Sequence, residues 1–186
     1  MTRSTSLGGV GDIEVIARIV LTQPGVAIAL GVGITVLVPA ATMWARRLYW
    51  SRTRTVFAGL GGASLALVPA TTLARGDVLI DWGRSCGMQP ALSLASPEAV
   101  LNALLLAPAA FFGVLALGRA TPILVAALAC SAAIEVVQLV TALGTCQTGD
   151  VLRNVTGAVV ASGAALLLLR GPAPGVSRTK PVRVRQ

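Results

Sequence analysis

The chain has 186 residues, of which 55% are hydrophobic and only 12% are charged. Soluble domains carry roughly 25% charged residues, so this chain has too few polar side chains to cover a soluble enzyme, and a disordered chain is excluded as well. There is no histidine, which excludes a Ser-His-Asp triad and histidine-ligated metal sites. The composition therefore indicates a membrane protein.

Residues 1–22 begin with polar side chains and then mix charged and aliphatic ones between Val10 and Leu21. This stretch is too short and too charged to span a bilayer. It predicts either a short amphipathic helix on the membrane surface or a plain tail.

Residues 23–170 contain five apolar segments of the length that a membrane helix needs. A bilayer core takes about 20 residues of helix, and backbone groups in lipid must bond within their own segment, which favours helices over strands. The segments are Val26–Ala45, Thr55–Ala74, Ala99–Gly118, Thr121–Leu143 and Val151–Leu169. Pro39, Pro69 and Pro108 lie inside three of them, where membrane helices tolerate a kink. We predict an all-α, polytopic membrane helix bundle of about five transmembrane helices.

Basic side chains are divided unequally between the two ends of these segments. Ten of the fifteen lie on one side, namely Arg46, Arg47, Arg52, Arg54, Arg119 and the five from Arg170 onward. The positive-inside rule then places the N-terminus outside and the C-terminus inside. Residues 1–22 become an extracytoplasmic tail, and residues 171–186 a basic, disordered cytoplasmic tail. This distribution accounts for the net charge of +8, so we predict no nucleic-acid partner.

Several polar residues lie inside the predicted helices, at similar depth in the outer half of the bilayer. Ionisable residues at such positions are costly and are candidate functional sites by default. Glu135 lies roughly 12 Å from the outer end of the fourth helix, with Ser131 and Gln138 on the same face. A carboxyl there is either protonated or paired with a cation such as Arg153. The predicted cluster consists of Asn102, Glu135, Gln138, Asp150, Arg153 and Asn154.

Members of this cluster also have structural interpretations. Taken alone, Asn102, Ser131 and Asn154 are expected to form hydrogen bonds between membrane helices, worth about 0.6–2 kcal/mol each. Asp150 could be the N-cap of the fifth helix. Gly157 and Ala161 continue the face of Asn154 with the small-residue spacing that lets helices approach closely.

The three cysteines differ in their predicted surroundings. Cys130 lies inside the fourth span and is expected to pack as a small apolar residue. Cys86 and Cys146 fall in outer loops, in an oxidising compartment, so we predict a disulfide between them. Their spacing is too wide for a zinc motif, and the sequence indicates no metal or cofactor.

Three segments together carry a resemblance to a known family. The first segment has Asn102 followed by Pro108, and the second has Glu135 followed by Gln138. The third has Asp150 followed by Asn154 and Gly157. This order and spacing resembles the VanZ-like family of bacterial membrane proteins, in its actinobacterial type, over about residues 78–169. The resemblance implies a cell-envelope protein in the cell membrane, with resistance to the glycopeptide teicoplanin as the associated phenotype.

The chain departs from the family pattern in one loop. Thr145 stands where the family often carries an arginine. If that arginine normally partners the Glu or Asp of the motif, then either Arg153 or Arg84 substitutes for it here or the activity is lost in this chain.

Three functions stay open at this point. The first is binding or shielding of an amphiphilic ligand at the outer leaflet, such as a lipid-linked cell-wall precursor or a lipoglycopeptide, because polar groups between apolar helix faces suit an amphiphile. The second is an enzyme that modifies a lipid or glycolipid head group, with Glu135 as general acid or base, although no nucleophile is evident. The third is a packing subunit of a membrane complex, joined through small-residue faces. We rank binding first; membrane lipid is a partner in each case.

Overall fold

A computed structural model of the chain describes residues 22–72, 86–87, 97–141 and 146–171. The two predicted tails, except for Thr22 and Gly171, lie outside the described residues, as do Arg84 and Thr145. Within the described ranges the chain is helical, apart from turns and one isolated bridge between Gly87 and Gln147.

Six helices occupy the described ranges. They are α1 Pro24–Arg47, α2 Arg52–Thr72, α3 Pro97–Leu105, α4 Ala107–Leu117, α5 Thr121–Thr141 and α6 Thr148–Arg170. Helices α3 and α4 together form one span, Ala99–Leu117, and with it five spans are long and apolar enough to cross a membrane. The prediction of an all-α bundle with five transmembrane helices is confirmed.

The three prolines inside the spans have different effects. Pro39 and Pro69 lie within the continuous helices α1 and α2. Pro108 instead separates α3 from α4, with Leu106 as the connecting residue. Proline has no N–H to donate to the carbonyl four residues earlier, here that of Leu104. The helix resumes when the Ala110 N–H donates to the Leu106 carbonyl oxygen, over 2.9 Å.

Helix α6 is central to the half of the bundle that holds the predicted cluster. It packs against α3, α4 and α5, while α2 joins α1 to α4. The buried side chains at these contacts are mostly small, and Ala45, Ala66, Ala70, Ala158 and Ala165 are fully buried. Small side chains allow the close helix approach on which packing inside a membrane depends.

The two ends of the bundle differ in the charged side chains that they carry. Helices α5 and α6 are antiparallel, since Ser131 contacts Asn154 and Glu135 contacts Gln147. One end therefore gathers Arg46, Arg47, Arg52, Arg54, Arg119 and Arg170; we call it the arginine end, and the opposite end the polar end. That the polar end faces outward stays a prediction from the positive-inside rule.

A candidate polar site between α5 and α6

One face of α5 is buried against α6 and carries two polar residues. Ala127, Ser131 and Glu135 follow each other at intervals of one helical turn, so they share this face. Ser131 has no exposed surface, and Glu135 is 8% exposed. Because the neighbouring positions Ala132, Ala133, Val136 and Val137 are exposed, the polar stripe points into the bundle rather than toward lipid.

Ser131 and Asn154 join the two helices through a buried hydrogen bond. The Asn154 Nδ2 donates to the Ser131 Oγ over 2.9 Å. The Asn154 Oδ1 is also buried, and it accepts no hydrogen bond within the described residues. A buried polar atom without a partner costs about 1–3 kcal/mol. Packing of α5 against α6 does not need this atom, so helix packing alone does not account for that cost.

Glu135 accepts a hydrogen bond from the chain just before α6. The Gln147 backbone N–H donates to the Glu135 Oε2 over 2.7 Å. Gln147 is fixed in turn by the parallel bridge to Gly87, in which the Gly87 N–H donates to the Cys146 carbonyl over 3.0 Å. The predicted disulfide between Cys86 and Cys146 is present and closes this arrangement.

Arg153 pairs with an acid on its own helix. Its Nη1 lies 2.7 Å from the Asp150 Oδ1, one turn earlier on α6. The structure therefore pairs Arg153 with Asp150 and not with Glu135. Asp150 lies within the first turn of α6, whose N-cap is Gln147, so Asp150 is not the N-cap. The Asp150 backbone N–H donates to the carbonyl oxygen of Gln147, the residue whose own N–H binds Glu135.

The structure brings together most, but not all, of the predicted cluster. We call the set at the α5–α6 contact the polar site, and it comprises Ser131, Glu135, Gln147, Asp150, Arg153 and Asn154. Gln138 lies one turn beyond Glu135 with its Oε1 buried, and Asn102 is half-buried on α3. Neither side chain forms a hydrogen bond with another part of the described chain.

Sequence reasoning missed one member of the polar site and one buried serine outside it. The Gln147 backbone N–H is the donor to Glu135, and a main-chain donor leaves no signal in the residue type. Ser162, 1% exposed on α6, has a buried Oγ without a hydrogen bond in the described ranges; a serine within an apolar helix was the available signal. Nowhere in those ranges do three Cys, Asp or Glu residues gather as metal ligands.

Removal of the disulfide is expected to loosen the contact to Glu135. In a Cys86→Ser/Cys146→Ser variant the Gly87–Gln147 bridge loses its covalent closure, at a cost near the low end of about 2–4 kcal/mol because the loops already begin and end at anchored helices. Hydrogen exchange of the Gln147 amide should accelerate, while amides in the middle of α2 keep their rate. An unchanged Gln147 rate would mean that the α5–α6 contact alone holds this residue.

Comparison with known proteins agrees with the resemblance in the sequence. No curated protein and no solved structure matches the chain. The family described as VanZ/LLP1 matches residues 25–169, a longer stretch than the 78–169 on which the resemblance rests. This match covers more than half of the chain and, apart from Pro24 and Arg170 at their outermost ends, all five membrane-spanning segments. The chain is therefore a multi-pass membrane protein that belongs to the VanZ/LLP1 family.

Proposed function

We propose that the polar site binds the head group of an amphiphilic, lipid-linked ligand at the outer leaflet of the cell membrane. A lipid-linked cell-wall precursor and a lipoglycopeptide are the ligand classes that fit this description. The observation that carries the proposal is the concentration of buried polar groups at one end of two apolar helices. Glu135, Asp150 and Arg153 are charged or ionisable, and the Asn154 Oδ1 and Gln138 Oε1 are buried acceptors that no described residue satisfies.

The energetics favour a binding role over helix packing alone. The Ser131–Asn154 hydrogen bond would suffice to join α5 to α6, as in many membrane bundles. Two carboxyls and a guanidinium in the same contact add a desolvation cost that packing does not require. Exposed aliphatic side chains lie beside the polar site, such as Val136 and Val140 on α5 and Leu152 on α6, and they offer a surface for the apolar part of an amphiphile.

The phenotype that we propose is protection against teicoplanin, which is the one that the family resemblance implies. In a sensitive bacterium, wild-type protein should raise the teicoplanin concentration that inhibits growth. Glu135→Gln at equal membrane abundance should return it to the value of cells without the protein. The amide oxygen of glutamine can still accept the Gln147 N–H, so the variant removes the ionisable group and leaves the contact.

Val125→Ala is the matched control, because Val125 lies on the same helix but at its arginine end, away from the polar site, and is 63% exposed. It should protect as well as the wild type. Equal loss in Val125→Ala and Glu135→Gln would contradict a specific role for the polar site. Equal protection by wild type and Glu135→Gln would make Glu135 a structural residue.

A membrane enzyme is the second candidate, and the proximity of two carboxyls favours it. Glu135 accepts the Gln147 N–H, and the Asp150 N–H donates to the Gln147 carbonyl; two carboxyls in different surroundings can divide the roles of general acid and base. Cys86 and Cys146 are oxidised, so water would be the nucleophile in a hydrolysis of the head group. A lipid or glycan product that appears with wild type and not with Glu135→Gln would favour this candidate over binding.

A further inference from the structure

A second feature lies at the other end of the bundle, away from the polar site. An apolar cavity of about 550 Å³ opens between α1, α2, α4 and α5. Its wall includes Leu37 and Trp44 of α1, Leu65 of α2, and Leu117 and Ile123 near the α4–α5 turn. Ligand sites typically have volumes of about 300–1,000 Å³. The cavity exists because α5 packs mainly against α6, which leaves its other side apart from α1 and α2.

The cavity reaches the arginine end, where two tryptophans form part of its wall. Trp44 and Trp50 lie on either side of the α1–α2 turn and both line the cavity. Tryptophan prefers the depth of the lipid head groups. This opening therefore lies at the boundary between acyl chains and head groups of one leaflet.

Positive charge surrounds this opening without acidic compensation. The Arg54 Nη2 lies 3.8 Å from where a Cβ on Gly118 would be, and Gly118 adjoins the cavity residue Leu117. Arg119 follows immediately. Both arginines are exposed, and within the described ranges neither has an ion pair. The acidic residues of those ranges, Glu98, Glu135 and Asp150, all belong to the polar end.

We propose that this cavity is a binding site for an anionic phospholipid, with one acyl chain between α2 and α5 and the phosphate on Arg54 and Arg119. Guanidinium groups bind phosphate oxygens through paired, charge-assisted hydrogen bonds. A zwitterionic lipid fits the apolar wall but lacks the net negative charge. A second copy of the chain is disfavoured as occupant, because it would bring six further arginines to the same end. The site is independent of the function proposed for the polar end.

The test is a competition between two lipids on the purified full-length protein. The protein is incubated with equal amounts of dioleoylphosphatidylglycerol and dioleoylphosphatidylcholine, and bound lipid is counted by native mass spectrometry. We expect phosphatidylglycerol to be retained preferentially. A basic residue near anionic lipid contributes about 1 kcal/mol, so Arg54→Gln and Arg119→Gln should each lower the preference about fivefold.

Two matched controls separate this site from general charge and surface effects. Arg170→Gln removes an exposed arginine from the same end but outside the cavity and should retain the preference. Ala126→Phe places a ring in the cavity and should lower binding of both lipids. Ala129→Phe, on the same helix but outside the cavity, should not. Helix content by circular dichroism establishes that each variant is folded, and the arginine variants test the site even if Ala126→Phe does not fold.

Three results would overturn the proposal. The first is equal retention of both lipids by the wild type. The second is a loss in Arg170→Gln as large as in Arg54→Gln, which would indicate only a diffuse charge effect. The third is a lipid-free wild-type dimer that Ala126→Phe converts to a monomer, since a second copy of the chain would then occupy the cavity.

Discussion

Gly157→Ala is expected to destabilise the bundle strongly. A Cβ on Gly157 would overlap the Ala103 carbonyl oxygen of α3, which is main chain and cannot rotate away. The two helices must therefore separate at this contact, at a cost of about 3 kcal/mol for such overpacking. The midpoint of thermal unfolding in detergent, measured by circular dichroism, should fall by roughly 10 °C for a chain of this size.

Gly163→Ala on the same helix is the matched control. A Cβ at Gly163 meets no atom within 4 Å, so this variant should keep the wild-type midpoint or exceed it, because alanine favours helix over glycine by about 1 kcal/mol. If both variants unfold at the same temperature, the close contact of α3 with α6 does not limit stability. The predicted close approach of helices at Gly157 would then contribute nothing to the free energy of unfolding.

Arg153→Gln is expected to have the second large effect on stability. Arg153 is 7% exposed and pairs with Asp150 over 2.7 Å. Removal of one partner from a buried ion pair leaves the other charge uncompensated and costs about 3 kcal/mol or more. The unfolding midpoint should fall about as far as in Gly157→Ala, whereas Arg170→Gln, an exposed arginine at the end of the same helix, should have almost no effect.

A double-mutant cycle separates the pair from other effects of each side chain. Asp150→Asn alone should also destabilise the protein. The combined variant Asp150→Asn/Arg153→Gln should lose less stability than the sum of the two single variants, because the contact that each single variant breaks is then lost only once. Strict additivity would show that the contact between these two side chains contributes nothing of its own.

Hydropathy alone identifies the membrane spans with little error. The predicted segment Val26–Ala45 corresponds to α1 Pro24–Arg47, and Thr121–Leu143 to α5 Thr121–Thr141. This works because a span is a local property: its length follows from the bilayer thickness, and its composition from the cost of exposing polar groups to lipid. The break at Leu106 is less predictable, because Pro39 and Pro69 are also prolines within spans and leave their helices continuous.

The candidate site is only partly predictable, because spacing on one helix says which residues share a face but not what they meet. Ser131 and Glu135 share one face of the helix because they are four residues apart, and the sequence alone shows this. Their partners on α6 depend on how the two helices are shifted along each other and rotated. Asp150 and Arg153 are three residues apart, so a local contact was available to Arg153 before any contact with α5.

The sequence by itself determined the all-α membrane architecture, the disulfide of Cys86 with Cys146 and the family, because these follow from local composition, loop placement and short motifs. The tertiary structure decided that the Gln147 backbone N–H binds Glu135, and that a cavity lies between α2 and α5. Both depend on the positions of helices relative to one another. Those positions are set by many small side chains packing together, such as Gly157 against Ala103, and no single residue pattern encodes them.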